Sequence, residues 1–142
     1  MSIFLEFPCT VAGTISVLSV KWCVVERICA VVTSNHCVSF YLEDGIALTH
    51  CRIVRRINAT DIAWHPKNKT VASGWEDGHI AIWGLSAGPG HNTSACIFAA
   101  DSKSGHTPIR VVVWNTKATR LLSGDASGLI MIWKVPPWTL AS

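Results

Sequence analysis

The segment from Asp61 to Gly84 recurs, without a gap, 50 residues further on as Val111 to Lys134, and an internal repeat dictates the fold before any other feature is weighed. Trp64 falls on Trp114, Ser73-Gly74 on Ser123-Gly124, Gly78 on Gly128 and Trp83 on Trp133. A third, weaker copy lies upstream at a spacing of 42, matching Trp22 to Trp64, Ala30 to Ala72 and Tyr41 to Trp83. Its turn residues do not carry over, since Asn35-His36 stands where Asp77-Gly78 does. Each copy is one unit that cannot bury its own apolar side, so the copies must stack on one another.

Every copy reads as the same run of strands. A short apolar stretch ends in Trp (Ile62 to Trp64, Val111 to Trp114), and a bend rich in turn formers follows at residues 65–69 or 115–117. A second strand spans Thr70 to Gly74 or Arg120 to Gly124. A tight turn then leads into a third strand of β-branched and aromatic residues. Glycine at 78 and 128 supplies the positive φ that such turns need. Ile46 to Ile53 and Ala95 to Ala100 are the expected fourth, outer strands. Ser86 to His106, with Gly, Ser, Asn and Pro at both ends, is expected as an enlarged loop around the second of these. No segment keeps a 3.6-residue apolar period, so little helix is expected.

Four short strands per 40 to 50 residues, with Trp and Ser-Gly in phase, mark the chain as all-β and similar to a WD40-type β-propeller. The expected architecture is one partial propeller of about three four-stranded blades, at residues 15–54, 58–100 and 106–135, with a non-propeller tail at 136–142. A β-sandwich would not explain the in-phase repeat. Rings close with roughly four to eight blades, so three leave apolar faces and unpaired strand edges. The chain is therefore read as a truncated form or fragment that self-associates or is insoluble when made alone.

Composition narrows the function classes. Only 15% of the residues are charged and the net charge is +3, with Arg52, Arg55 and Arg56 forming the one basic knot. A nucleic-acid binder would show a basic stripe, so the knot reads as a solvated edge and no nucleic-acid partner is expected. The cysteines at 9, 23, 29, 37, 51 and 96 have no CxxC spacing and sit mostly among apolar residues. They suit a reducing compartment rather than a zinc site. Met1 to Ala12 makes a poor secretory signal, and no apolar run is long enough for a membrane span. The sequons at Asn58, Asn68 and Asn92 are then chance matches. The expectation is a cytoplasmic protein with no membrane insertion, no metal and no cofactor.

Likeness to WD40 blades implies buried hydrogen-bond sets of Trp, Ser, His and Asp. In the second copy Trp83, Ser73 and Asp77 stand at three of those places. In the third copy His106, Ser123 and Trp133 do so, with Ser127 in place of the Asp. Ser, His and Asp together also invite a hydrolase reading. They recur at blade positions without a Gly-x-Ser-x-Gly elbow, which favours a structural role and no catalysis. Trp75 breaks the small-residue pattern after Ser-Gly. It is either a candidate partner contact, since interface hot spots are rich in Trp, or a local packing plug.

Trp64-His65-Pro66, Gly74-Trp75-Glu76 and Leu121-Leu122-Ser123-Gly124-Asp125, with Tyr41 to Gly45 as a first-blade ending, resemble the N-terminal propeller of the intraflagellar transport protein 140 family. The resemblance runs from about Trp22 to Lys134. It implies a non-catalytic scaffold that binds other subunits of intraflagellar transport complex A, in retrograde ciliary transport and cilium assembly, at the cilium and its base. The helical repeats that follow the propellers in that family are absent here. A general WD40 adaptor outside cilia, of vesicle-coat or ubiquitin-ligase type, is the competing reading.

Overall fold

In the computed structural model, Ile3, residues 14–88 and residues 91–135 are described, apart from the side chains of residues 87, 88, 91 and 92. They form three antiparallel sheets that follow one another along the chain. The first holds β1 (Val17–Trp22), β2 (Ile28–Thr33), β3 (Cys37–Leu42) and the short β4 (Ile53–Val54). The second holds β5 (Ala59–Trp64), β6 (Thr70–Trp75), β7 (His79–Gly88) and β8 (His91–Asp101). The third holds β9 (Ile109–Trp114), β10 (Arg120–Asp125) and β11 (Ile130–Lys134). Each sheet is a simple up-and-down meander in which consecutive strands pair.

The sheets stack through their first two strands, with β5 against β1 and β2, and β9 against β5 and β6. Alternation along a strand sends successive side chains to opposite faces, so the middle sheet is buried on both sides. Ile62, Trp64, Val71 and Trp75 pack towards Ala30, Val32, Val38 and Phe40 of the first sheet. Ala72, Ile80 and Ile82 pack towards Ile109, Val112, Trp114 and Leu121 of the third. All six residues of β6 are buried as a result. The stack does not close, and it forms an open, partial propeller.

Three expectations are corrected. The stretch 46–53 is not one continuous outer strand: Ala47 bridges Tyr41 of β3, Thr49–Cys51 then forms a turn of 3-10 helix, and Ile53–Val54 returns to pair with β3. Ser86 to His106 is not mainly a loop. The strands β7 and β8 run on as a long hairpin in which Leu85 pairs with Ser94 and Ser86 with Thr93. Backbone pairing does not need β-prone side chains, which is why composition misled. The third sheet has three strands, not four, among the described residues. The expected tail at 136–142 lies outside them.

The turn of the first copy repeats in shape although its sequence does not. His36 has φ 69°, at the place where Gly78 has φ 83° and Gly128 φ 89°. A histidine resists that conformation more than glycine does. Here Asn58 Oδ1 accepts the His36 backbone N–H at 2.9 Å and lies 2.8 Å from its Nδ1, which holds the turn.

Candidate protein-interaction site

The repeated Ser and Trp meet because they sit on adjacent strands. Val71 faces Trp83 across the β6–β7 ladder, and Ser73 is two residues along the same face. Ser73 Oγ accepts the Trp83 indole N–H at 3.2 Å. The third sheet copies this, with Trp133 Nε1 donating to Ser123 Oγ at 3.0 Å. The first sheet has Val31 and Tyr41 at the matching positions and lacks the bond.

Asp77 does not join this pair. Its carboxylate accepts Arg55 Nη1 at 3.1 Å and Nη2 at 2.9 Å, a two-pronged ion pair that fastens the connector after β4 to the second blade. Burial alone would raise the carboxyl, but the Arg55 guanidinium and the His79 backbone N–H outweigh it and hold it below its usual range.

Trp75 is not a surface residue. It is fully buried, donates from Nε1 to Ser73 Oγ at 2.9 Å, and has the Arg55 guanidinium 4.8 Å above its ring. Its place in β6, a strand covered on both sides, makes it a packing plug and corrects the partner-contact alternative. Ser73 Oγ therefore accepts from two indoles and donates its own O–H to the Ala81 carbonyl at 3.3 Å.

His106 is also corrected. It is exposed and makes no hydrogen bond among the described residues. The acidic centre of the third blade is Asp125, which the repeat hides because its counterpart is Trp75. Asp125 Oδ1 accepts the Ser127 and Leu129 backbone N–H groups and Ser127 Oγ, while Oδ2 accepts Ser102 Oγ at 3.0 Å and Ser104 Oγ. Those donors, the Ser104 hydroxyl first, hold its carboxyl far below the ordinary range. One local signal could have found it: Asp at the first place of a four-residue turn ending in Gly128.

A further set of contacts crosses from blade to blade. Trp64 Nε1 donates to the Lys21 carbonyl at 2.9 Å, and Trp114 Nε1 donates to the Ala63 carbonyl at 2.9 Å. Lys21 Nζ reaches Asp61 Oδ1 at 2.8 Å and the Ile62 carbonyl at 2.7 Å, while Asp61 Oδ2 accepts the Val112 backbone N–H at 2.9 Å. Asp61 thus ties all three blades together.

The Arg knot is divided. Arg55 is bound to Asp77, Arg52 Nε donates to Cys37 Sγ at 3.3 Å, and Arg56 is exposed. Of the sequons, Asn58 is held by His36, Asn68 is buried, and the Asn92 side chain lies outside the described residues. Cys23, Cys29, Cys37 and Cys51 are buried thiols, and burial raises those of Cys29 and Cys51. No cluster of three His, Cys, Asp or Glu residues that could hold a metal occurs among the described residues. No helix among them is long and apolar enough to cross a membrane. The arrangement offers packed blades, their edges and their faces.

Comparison with known proteins places that arrangement. The family described as IFT140 first beta-propeller matches residues 5–137. A chain in a crystal structure of the mitotic checkpoint complex is similar at a TM-score of 0.70 and 19% identity, over 89% of this chain and 37% of that one. At that identity the likeness is one of fold: a WD40 propeller, of which the present chain spans little more than a third.

Proposed function

Because the chain belongs to the family of IFT140 first β-propellers, we propose that it is a non-catalytic scaffold of intraflagellar transport, binding other subunits of transport complex A. In this reading it acts in retrograde ciliary transport and cilium assembly, in the cytoplasm, at the ciliary base and in the cilium. The observation that carries it is the family match over nearly the whole chain, residues 5–137. Propeller geometry supports a binding role, because stacked meanders present strand edges and loops on a rigid core. The similar propeller in the mitotic checkpoint complex is likewise part of a multi-protein assembly.

The chemistry of the Ser residues supports the non-catalytic part. Ser73 and Ser123 are buried, and their oxygens accept indole N–H groups rather than facing a base. His106, the one imidazole offered to this set by the sequence, is exposed and apart.

The test is to express the tagged chain in ciliated cells. Co-purification with complex A subunits and enrichment at the ciliary base are expected. A diffuse chain that captures none of them would overturn the ciliary reading and leave the general WD40 adaptor.

A further inference from the structure

We propose that the outer edge of the second blade docks a second copy of the chain, β8 against β8, antiparallel, about a twofold axis that passes between the two Cys96 residues. The inference goes beyond the ciliary reading and does not depend on it.

The length of this edge singles it out. Propellers leave only short, protected strand edges at their rims, and the first blade conforms, with a β4 of two residues. In the second blade β8 runs for 11 residues and is the last strand of its sheet. Blades join through their flat faces, and this one has a neighbour on each side, so its open rim is not the end of the stack. Natural edges are blunted by charge, proline or cover. From Asn92 to Ala100 the chain has no charged residue and no proline. The 3-10 turn of the first blade packs on the same hairpin, yet Thr93, Ala95, Cys96, Ile97 and Ala99 all remain exposed.

Backbone hydrogen bonds fix which groups point outward. The Leu85 N–H bonds to the Lys69 carbonyl, so odd residues of β7 face β6. The Ser102 N–H bonds to the Gly78 carbonyl, so even residues face β8. The register then turns the N–H and C=O of Thr93, Ala95, Phe98 and Ala100 inward, opposite residues 86, 84, 82 and 80. Those of Asn92, Ser94, Cys96, Ala99 and Asp101 point outward, and no strand pairs with them among the described residues. Ile97 lies where the register shifts between Ile82 and Trp83, as the extra residue of a bulge.

Those five outward positions, with Cys96 in the middle, are self-complementary. A second β8 laid antiparallel with Cys96 opposite Cys96 sets Ser94 against Ala99 and Asn92 against Asp101, on both sides of the axis. Each such pair exchanges two bonds, so the junction holds about ten, a number typical of a whole protein–protein interface. Its centre carries no charge to repel its own copy, and the two Asp101 carboxylates fall at opposite ends. A parallel copy would set Asp101 beside Asp101, which is unfavourable. The contact is isologous: the same edge is used up on both chains, and association stops at two.

The test measures crosslinking and mass on the 142-residue chain. Cys96 is exposed, whereas Cys23, Cys29, Cys37 and Cys51 are buried. In the pair the two Cys96 Cα atoms lie about 5.5 Å apart, within reach of a short bismaleimide. The parent is expected to give a crosslinked pair that Cys96→Ser abolishes and Cys9→Ser does not. Light scattering after gel filtration is expected to find twice the mass of one chain at high concentration. Ala99→Pro removes an outward N–H and spares the ladder to β7, and Ile97→Lys sets a charge on the edge. Both are expected to keep the circular dichroism of the parent, to lose the crosslink and to return to the mass of one chain. Ile97→Lys, at an exposed side chain, decides the matter should Ala99→Pro disturb the fold. A monomer at every concentration, a parent that Cys96 does not link, or variants that associate as the parent does would each overturn the proposal.

Discussion

Trp114 Nε1 lies 2.9 Å from the Ala63 carbonyl oxygen and repeats, one seam further on, the bond from Trp64 to Lys21. Each acceptor is the residue immediately before the Trp of the preceding blade, at position 64 or 22. A buried indole N–H with no partner is costly, whereas one with a partner adds about 1 kcal/mol. Trp114→Phe keeps an aromatic ring in the seam and removes the donor with part of the indole. It is expected to lower unfolding stability by about 1 kcal/mol in urea titration, while Trp22→Phe, at an exposed indole, should change little. Equal effects of the two substitutions would mean that the seam bonds carry no stability.

Ser73 and Ser123 are equivalent in sequence but unequal in load. Ser73 Oγ accepts from both Trp75 and Trp83, and Ser123 Oγ accepts from Trp133 alone. Removing a buried acceptor costs about 1–3 kcal/mol for each donor left without a partner. Ser73→Ala is therefore expected to destabilise the chain roughly twice as much as Ser123→Ala, read as a shift in denaturation midpoint. The reverse order would show that Trp75 finds another acceptor.

Gly74 is a packing requirement, and its repeat partner is not. Adding one methyl at 74 drives into Ile109, with contacts of 2.4 and 2.9 Å to that side chain. Overpacking of this kind costs about 1–3 kcal/mol. Gly74→Ala should fall in that range by thermal or chemical unfolding. Gly124→Ala meets nothing within 4 Å and should be neutral or slightly stabilising, since it removes backbone freedom from the unfolded chain.

His65 is expected to make the stack sensitive to mild acid. It is fully buried, its Nδ1 accepts the Lys67 backbone N–H at 3.0 Å, and its Nε2 has no partner among the described residues. Burial, and then the Lys67 charge, lowers its pKa from the ordinary value. The unfolded chain takes up the proton first, so stability is fully present above about pH 6.5 and declines as the pH falls through that value. Asp77 and Asp125, both lowered, add a separate loss at the acid end, below about pH 4. His65→Asn places at 65 the residue found at 115 and should flatten the dependence between pH 5 and 7. An unchanged slope would assign that dependence to other groups.

The sequence shows the stacking units plainly, because Trp and Ser-Gly recur in phase and periodic signals survive without tertiary information. It does not show what those residues touch. The acceptors of Trp64 and Trp114 lie 43 and 51 residues away along the chain, on another sheet. Asp125 escapes notice for the opposite reason: it sits where the other copy has Trp75, so nothing repeats. Trp75 reads from its position near a turn as either an anchor or a packing plug, and only the two-sided cover of β6 decides for the plug. His106 follows a glycine as the blade pattern asks, yet Ser102 and Ser104 reach Asp125 instead.

The two repeat spacings, 42 and 50, differ entirely after the third strand of the unit, between Trp83 and Trp114 as against Tyr41 and Trp64. That surplus coincides with the far stretch of the β7–β8 hairpin, past Leu85, in the outer strands of its sheet. The pitch of the stack is thus insulated from the length of its rim. Residues inserted beyond Leu85 and Ser94 would lengthen a lever without moving the hub. A single residue inserted between Ser73 and Trp83 would turn the indole to the opposite face and uncouple it from the hydroxyl.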